Sequence, residues 1–320
     1  MSTYINRGGE QVYLPPFTAD GTRLFAFAVH ANRQALQENI CDRYLNTPIG
    51  NHSKRFIPAL EQVFFVFNTI DSLQASSTGW IDRGRFAETE AAVWMLVADR
   101  QTHRLHWFHP YMLVDNAYAL CMGREIYGFP KTLGWFTLPS QMGPDAPAQL
   151  QVDTLGVKTF GPTAKGQRYP LFEVRKIESS DNTTPKMVTA IEEAGDLMGE
   201  LVQLSQINGD WFSTLGLAAH ALDDLLHWRL PMVFLKEFRE GSHPENSCYH
   251  AVQTVDVTLT RFHGACIYTD AYELHVTDLD SHPIRQDLGL PNGPIAVEYG
   301  FWTHFDFTIG ACNAVLEEQR

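Results

Sequence analysis

Short apolar stretches rich in β-branched and aromatic residues recur along the chain, separated by polar residues, glycine and proline. Stretches of this length and composition predict β-strands. The predicted strands cover residues 24–29, 63–67, 91–98, 104–114, 135–138, 149–157, 171–177, 255–259, 271–276 and 301–307. So many short strands with few helices predict a mainly β fold with added helices (α+β), arranged as a closed or nearly closed antiparallel β-barrel or double sheet.

Helical spacing is clear in fewer places. Asn32 is a favourable N-cap, and the apolar positions after it predict a short helix that runs to Leu45. Apolar residues three and four positions apart after Pro185 predict a second helix over residues 187–201. A third helix is predicted over residues 215–228.

The composition is that of a globular protein. With 320 residues, of which 44% are hydrophobic and 19% charged, the chain can bury a substantial core. We predict a single domain over residues 1–320, with a helical insertion at residues 185–230. The net charge of −13 disfavours nucleic acid and anionic membranes as partners, because both bind basic surfaces. A carboxylate substrate would therefore need a local cation in its binding site.

Several common features are missing from the sequence. The N-terminus lacks the apolar core of a signal peptide, and the five scattered cysteines fit reduced thiols, so we predict a cytoplasmic protein. There is no glycine-rich nucleotide motif, and we predict no cofactor. The histidines at 103, 106 and 109 are three positions apart, which places neighbours on opposite faces of a strand, so we predict no metal site.

The most informative segment is GREIYGFPKTLGW at residues 123–135. Lys131 follows a proline in a run that also contains Phe129, Leu133 and Trp135. Burial disfavours an ammonium group and would lower the lysine pKa, leaving a neutral amine that can attack a carbonyl carbon. An ordinary lysine has a pKa of about 10.4, and lowering it by about three units costs on the order of 4 kcal/mol. The alternative is that Lys131 extends its charge to the surface past apolar neighbours.

This segment resembles the lysine motif of the acetoacetate decarboxylase superfamily. The Gly-Arg-Glu run at 123–125 and the Pro-Lys pair at 130–131 match that motif in type and spacing. Further elements that resemble the family are Phe-Ala-Glu at 86–88, Leu-Lys-Glu-Phe at 235–238 and Ser-His-Pro-Ile at 281–284. The resemblance implies a β-barrel that holds one small carbonyl substrate and assembles as a homo-oligomer.

The resemblance also implies roles for individual residues. Lys131 would be the covalent nucleophile, and Glu88 would orient the substrate or transfer a proton, with Glu90 competing for that role. Arg23 would grip a substrate carboxylate. The residues predicted to contact the substrate are Phe65, Tyr127, Thr132, Trp135 and Arg124.

The chain departs from the family pattern at two positions. The family's decarboxylases carry a second lysine where this chain has Thr132, and a glutamate where it has Phe65. If Lys131 is activated, burial must then contribute more, or a cation from elsewhere, such as Arg124, must help. On the strand that follows Pro130, we expect Lys131 to project into the barrel together with Leu133 and Trp135.

Three functions remain open from the sequence. The favoured one is a Schiff-base-forming lyase that acts on a keto acid or related carbonyl compound through Lys131, by decarboxylation. The first alternative is an aldolase, dehydratase or cyclising enzyme that uses the same lysine on a larger carbonyl substrate. The second is a barrel without enzymatic activity that binds an apolar small molecule.

Overall fold

A computed structural model of the chain describes residues 3–5, 12–50, 54–177, 187–188 and 229–319. Within these residues the fold is mainly β. The strands are β1 (Phe17–His30), β2 (Phe56–Ala75), β3 (Arg85–Asp99), β4 (Arg104–Val114), β5 (Lys131–Thr137), β6 (Gln149–Gly156), β7 (Gln167–Lys176), β8 (Met187–Val188), β9 (Arg229–Arg239), β10 (Ser247–Tyr268), β11 (Tyr272–Val276), β12 (Ile295–Ala296), β13 (Tyr299–Ile309) and β14 (Asn313–Gln319).

The described helices are short. They are α1 (Arg33–Ala35), continued by a π-helix (Leu36–Asn46), a 3₁₀ turn (Ile81–Arg83), α2 (Ala117–Met122), continued by a π-helix (Gly123–Tyr127), and α3 (Ile284–Leu288). Within the described part of the chain, no helix has the length and apolar character needed to cross a bilayer.

Seven strands form a near-ring. Antiparallel pairing links β4 to β3, β3 to β2, β2 to β1, β1 to β13, β13 to β10 and β10 to β9. Strand β9 returns to β4 through one parallel pair, Trp107 with Met232. The prediction of a mainly β fold with a nearly closed arrangement of strands is therefore confirmed, although the single pair that joins β9 to β4 leaves the ring short of a strict barrel.

A second group of strands covers the outer face of the near-ring. Strand β5 pairs in parallel with the end of β4, and β6, β7, β11 and β12 follow it in antiparallel order. The rings of Phe65 and Phe67 on β2 meet Phe172 on β7 edge to face, at centroid distances of 5.0 and 5.4 Å. This aromatic contact fills the core between the two layers.

The position of Phe65 differs from its predicted role. Side chains alternate along a strand, so Phe65 and Phe67 point to the outer layer, whereas Asn68 and Ile70 point into the near-ring. Phe65 is fully buried against Phe172 and does not reach the interior of the ring. Its assignment as a substrate contact is therefore not supported by its place in the fold.

The secondary structure predicted from the sequence is largely confirmed. All ten predicted strands overlap observed ones, and Asn32 caps the predicted helix by accepting a hydrogen bond from the Ala35 amide at 2.9 Å. The helix predicted over 187–201 lies outside the described residues except for Met187 and Val188, which form a strand against β10, so the prediction is wrong there. The helix predicted over 215–228 also lies outside them.

The extent of the domain stays a prediction, as does the helical insertion at residues 185–230. The sequence pattern did not predict β9, β14 or α2. Strand β9 closes the near-ring and α2 leads to Lys131, so both unpredicted elements lie at the cavity described below.

The packing predicts that Phe65 stabilises the fold. Phe65→Ala should lower the free energy of unfolding by about 3–5 kcal/mol, because it opens a cavity beside Phe172. Phe65→Leu should cost less, since it keeps most of the apolar volume. Denaturant unfolding measures both, with the exposed Phe160→Ala as control. An unchanged midpoint for Phe65→Ala would contradict the packing role.

Candidate active site

The interior of the near-ring contains a cavity of about 100 Å³. All seven ring strands contribute side chains to its lining, and the segment from Met122 to Lys131 closes one side. Most of the lining is apolar. The charged residues that line the cavity, within the described chain, are Glu88, Glu90 and Lys131.

Local structure brings the Lys131 side chain into this cavity. Gly128, at φ +82°, ends the π-helix in the left-handed region, and the chain then turns through Phe129 and Pro130 into β5. Gly123 packs against the lysine stem, because a Cβ atom there would lie 2.6 Å from Lys131 Cδ. The Lys131 side chain is only 8% exposed.

Two carboxylates meet the lysine. Glu88 and Glu90 lie two residues apart on β3, so both point into the near-ring. Lys131 Nζ lies 2.5 Å from Glu88 Oε1 and 3.5 Å from Glu90 Oε2. Asn68, directly opposite Glu90 on β2, donates a hydrogen bond to Glu90 Oε1 at 3.1 Å. The site is thus a buried cluster of one ammonium and two carboxyl groups.

The carboxylates determine the charge state of the lysine. Burial by itself would lower the pKa of Lys131, but the negative charges and hydrogen bonds of Glu88 and Glu90 outweigh burial and raise that pKa above its ordinary value. The expectation that burial leaves Lys131 as a neutral amine is therefore wrong for the ligand-free protein. The sequence argument failed because it counted the apolar neighbours and not the opposed carboxylates.

Glu90 is the group in this cluster that can titrate near neutral pH. Burial raises the pKa of Glu90 to about 7, and the adjacent Glu88 adds to this effect, while the Lys131 ammonium and the Asn68 hydrogen bond oppose it. At neutral pH Glu90 can therefore either donate or accept a proton.

His109 is a cavity residue for which the sequence predicted no functional role. It is fully buried, and neither ring nitrogen has a hydrogen-bond partner within the described residues. Its imidazole packs edge to face on Trp94 at 4.7 Å and stacks on Phe234 at 5.8 Å. Burial lowers the pKa of His109 to about 3, with the Lys131 charge adding to it, so the ring is neutral.

A β-bulge explains why strand alternation did not indicate the direction of His109. The register between β3 and β4 shifts where Val93 pairs with Tyr111 and Met95 pairs with Phe108. The bulge inserts one extra residue on β4 around His109 and Pro110, and such insertions re-aim side chains. The only feature of the sequence that pointed to His109 was its polar side chain within an otherwise apolar strand.

The two predicted arginines do not line the cavity. Arg23 Nη1 donates to both carboxylate oxygens of Asp71, at 2.8 and 2.7 Å, on the partly exposed side of β1. Arg124 is exposed and donates to the Lys131 carbonyl oxygen at 3.2 Å. It lines a second cavity of about 270 Å³, which shares only His109 and Phe129 with the first.

The remaining predicted contacts divide between the cavity and the surface. The Tyr127 ring lines the cavity, although its hydroxyl donates to the Gly310 carbonyl oxygen at 3.0 Å. Thr132 points away from Lys131, as strand alternation requires, and is not a lining residue. Leu133 and Trp135 share the Lys131 face but are 47% and 40% exposed.

The prediction that Leu133 and Trp135 project into the barrel is therefore wrong. Strand β4 ends at Val114, which pairs with Leu133, while β5 continues beyond that point and pairs with β6 instead. Only the first residue of β5, Lys131, therefore lies over the near-ring interior. Trp135 packs under the Arg168 guanidinium at the surface.

The raised pKa of Glu90 predicts a pH dependence of stability. The folded chain binds a proton on Glu90 up to a pH of about 7, whereas an ordinary glutamate releases it near 4.5. The free energy of unfolding should therefore fall as pH rises from about 4.5 to about 7, by on the order of 3 kcal/mol from this group. Denaturant unfolding at several pH values measures the slope.

Glu90→Gln should remove that slope, since glutamine does not titrate. Glu245→Gln, which changes an exposed carboxylate, is the matched control and should keep the wild-type slope. If wild type and Glu90→Gln lose stability equally between these pH values, Glu90 does not carry the raised pKa.

Comparison with known proteins finds a family whose sequence pattern covers the residues of this cluster. A family model described as acetoacetate decarboxylase (ADC) matches residues 63–207, which include Glu88, Glu90, His109 and Lys131. A search of curated proteins finds no significant match.

Several solved structures share the fold. A crystal structure of acetoacetate decarboxylase from Legionella pneumophila aligns at 14% identity with a TM-score of 0.61, over 99% of this chain and 93% of that one. The enduracididine biosynthesis enzyme MppR, complexed with pyruvate, aligns at 13% identity with a TM-score of 0.57, over 97% of this chain and 93% of that one. An acetoacetate decarboxylase-like enzyme from Sphingomonas wittichii aligns at 13% identity with a TM-score of 0.55, over 99% of both chains. The resemblance found in the sequence is thus confirmed: the chain has the fold of acetoacetate decarboxylase-like proteins and matches that family over residues 63–207.

Proposed function

We propose that this protein is a lyase-type enzyme that forms a Schiff base between Lys131 and a small carbonyl substrate. The similarity to the acetoacetate decarboxylase family and to acetoacetate decarboxylase-like enzymes supports the lyase class. The observation that carries the proposal is the buried Lys131 amine, 2.5 Å from Glu88 and 3.5 Å from Glu90 in the near-ring cavity. This arrangement provides a nucleophile together with its own proton acceptors.

Activation of the lysine begins with a proton transfer. The resting ammonium is not nucleophilic, so it first passes a proton to a carboxylate, which converts an ion pair into two neutral groups. Glu88 is the nearer acceptor, and Glu90, with a pKa of about 7, is the better matched one. Entry of an apolar part of the substrate favours this transfer, because it removes remaining water from the charges.

The amine then adds to the carbonyl carbon. The carbonyl oxygen takes the proton from the carboxylic acid, giving a carbinolamine, and this loses water to leave an iminium on Lys131. The iminium is again a cation beside Glu88 and Glu90, so the site stabilises it as it stabilised the ammonium. A carbon–carbon bond at the carbon next to the iminium then breaks. Its electron pair forms a new carbon–carbon double bond, and the π electrons of the iminium move to nitrogen, which gives an enamine.

Two reactions break that bond. Decarboxylation releases carbon dioxide, and the family similarity supports it. Aldol cleavage releases an aldehyde after a carboxylate removes the proton of a β-hydroxyl. The position of Arg23 favours this reaction, because Arg23 pairs with Asp71 and no guanidinium of the described residues enters the cavity to hold a substrate carboxylate. In both, a carboxylic acid protonates the enamine carbon and water releases the product from Lys131.

The MppR structures offer a precedent for the second reaction within this fold. One contains pyruvate, and another contains the condensation product of pyruvate and imidazole 4-carboxaldehyde. Homo-oligomeric assembly and a cytoplasmic location stay predictions for the chain described here.

Borohydride trapping tests the Schiff base. The protein is incubated with a panel of small ketones, aldehydes and keto acids, then reduced, digested and mapped by mass spectrometry. We expect a stable substrate adduct on the peptide that contains Lys131. Lys131→Met, which keeps an apolar stem of similar length, should lose the adduct, and the exposed Lys158→Ala should keep it. An apolar-ligand barrel without enzymatic activity would give no adduct at Lys131.

Glu88 and Glu90 can be ranked by their effect on the rate of trapping. Glu88→Gln keeps the shape and a hydrogen-bonding oxygen but removes the proton acceptor, so adduct formation should slow by about a hundredfold. Glu90→Gln measured beside it shows which carboxylate accepts the proton, and Glu245→Gln is the control. If Glu88→Gln keeps the wild-type trapping rate and pH dependence, Glu88 is not the proton acceptor, and Glu90 takes that role.

A further inference from the structure

Five uncharged polar atoms without a hydrogen-bond partner in the described part of the chain belong to residues that line the Lys131 cavity. They are Thr22 Oγ1, Asn68 Oδ1, Trp94 Nε1 and both ring nitrogens of His109. Leaving one buried polar atom unpaired costs about 1–3 kcal/mol. Such atoms are uncommon in native proteins, and several around one cavity indicate a ligand that pairs with them.

The chemistry of these atoms describes the ligand. The indole of Trp94 only donates, the free Asn68 oxygen only accepts, and the Thr22 hydroxyl and the neutral His109 ring do both. None of the four side chains carries a charge. Together they suit a hydroxyl group or a second carbonyl oxygen, which exchange hydrogen bonds with neutral donors and acceptors.

The charges of the lining disfavour an anionic ligand. Lys131 is the one cation that the described residues place in the lining, and Glu88 and Glu90 already compensate it. Arg23 is held by Asp71, and Arg124 lies across Phe129 in the second cavity. A substrate carboxylate would therefore be desolvated beside two carboxyl groups without a cation of its own, which is costly.

Size limits the ligand further. A cavity of about 100 Å³ is smaller than the engineered cavity of about 150 Å³ that accepts benzene. The part of the substrate that lies inside this cavity therefore has few heavy atoms. Phe129 connects the two ends of the site, since its ring centroid lies 5.3 Å from Lys131 Nζ and 6.0 Å from the His109 ring. Lys131 and His109 thus border the same aromatic ring of the cavity lining.

We infer that the Lys131 cavity selects small uncharged hydroxy ketones or hydroxy aldehydes over keto acids, and that His109 hydrogen-bonds the substrate hydroxyl. This inference rests on the proposed Schiff-base function, and it places aldol cleavage or formation ahead of decarboxylation. His109 is then a residue that determines specificity, while Lys131 and the two glutamates carry out the bond-breaking steps.

Matched ligands test the substrate class. The trapping experiment is repeated with 4-hydroxybutan-2-one, acetoacetate and butan-2-one, which share one methyl ketone and differ by a hydroxyl, a carboxylate or neither at the far carbon. We expect half-saturation by the hydroxy ketone at a concentration about tenfold or more below that of the other two. Tighter or faster trapping with acetoacetate would overturn the inference and leave the Schiff base intact. No adduct with any of the three would overturn the proposed function as well.

Variants of His109 test the specificity role. His109→Phe keeps an aromatic ring between Trp94 and Phe234, and the measured quantity is the ratio of the hydroxy ketone to butan-2-one, which should lose its tenfold advantage. His109→Gln should restore part of that advantage, because an amide also donates and accepts. If His109→Phe slows all three ligands equally, His109 has only a packing role. A preserved advantage in His109→Phe would exclude the hydrogen bond.

Discussion

The contact between the Lys131 ammonium and the carboxyl groups of Glu88 and Glu90 is the interaction on which the candidate site depends. Each of these ions would cost several kcal/mol to bury alone, and close pairing offsets that cost only when the geometry is good. The near-ring provides the geometry. Adjacent inward positions of β3 hold the two carboxylates, and the first residue of β5 brings the amine within 2.5 Å of one of them.

This pairing determines how Lys131 would be activated in the proposed mechanism. A lysine can be activated by an apolar pocket or by a neighbouring cation, and both lower its pKa. Here the carboxylates raise the pKa, so the free amine forms only when one of them takes the proton. Glu90 suits that role because burial already holds its pKa near 7. In the proposed mechanism the same two groups then face the cationic iminium, so one electrostatic arrangement serves the resting and the reacting states.

In the proposed function, the rest of the cavity determines which carbonyl compound reaches the amine. Solved structures share this fold at identities of 12–14%, and a fold shared at that level does not fix the substrate. The groups beside Lys131 carry that information. In this chain they are neutral hydrogen-bonding side chains held by aromatic packing, with His109 fixed between Trp94 and Phe234. An aromatic cage keeps the imidazole both oriented and uncharged.

The sequence by itself determined the strand pattern, the capped helix at Asn32, the family resemblance and the choice of Lys131 and Glu88 as candidate site residues, because alternation, capping and short motifs depend on neighbours along the chain. It did not determine which side chains meet. Phe65 and Trp135 lie outside the cavity, and Arg23 is held by Asp71, because strand register and the end of β4 decide those positions. The direction of the Lys131 pKa shift also required the tertiary structure, since it depends on charges from a different strand. So did the position of His109 in the cavity lining, since it depends on a bulge.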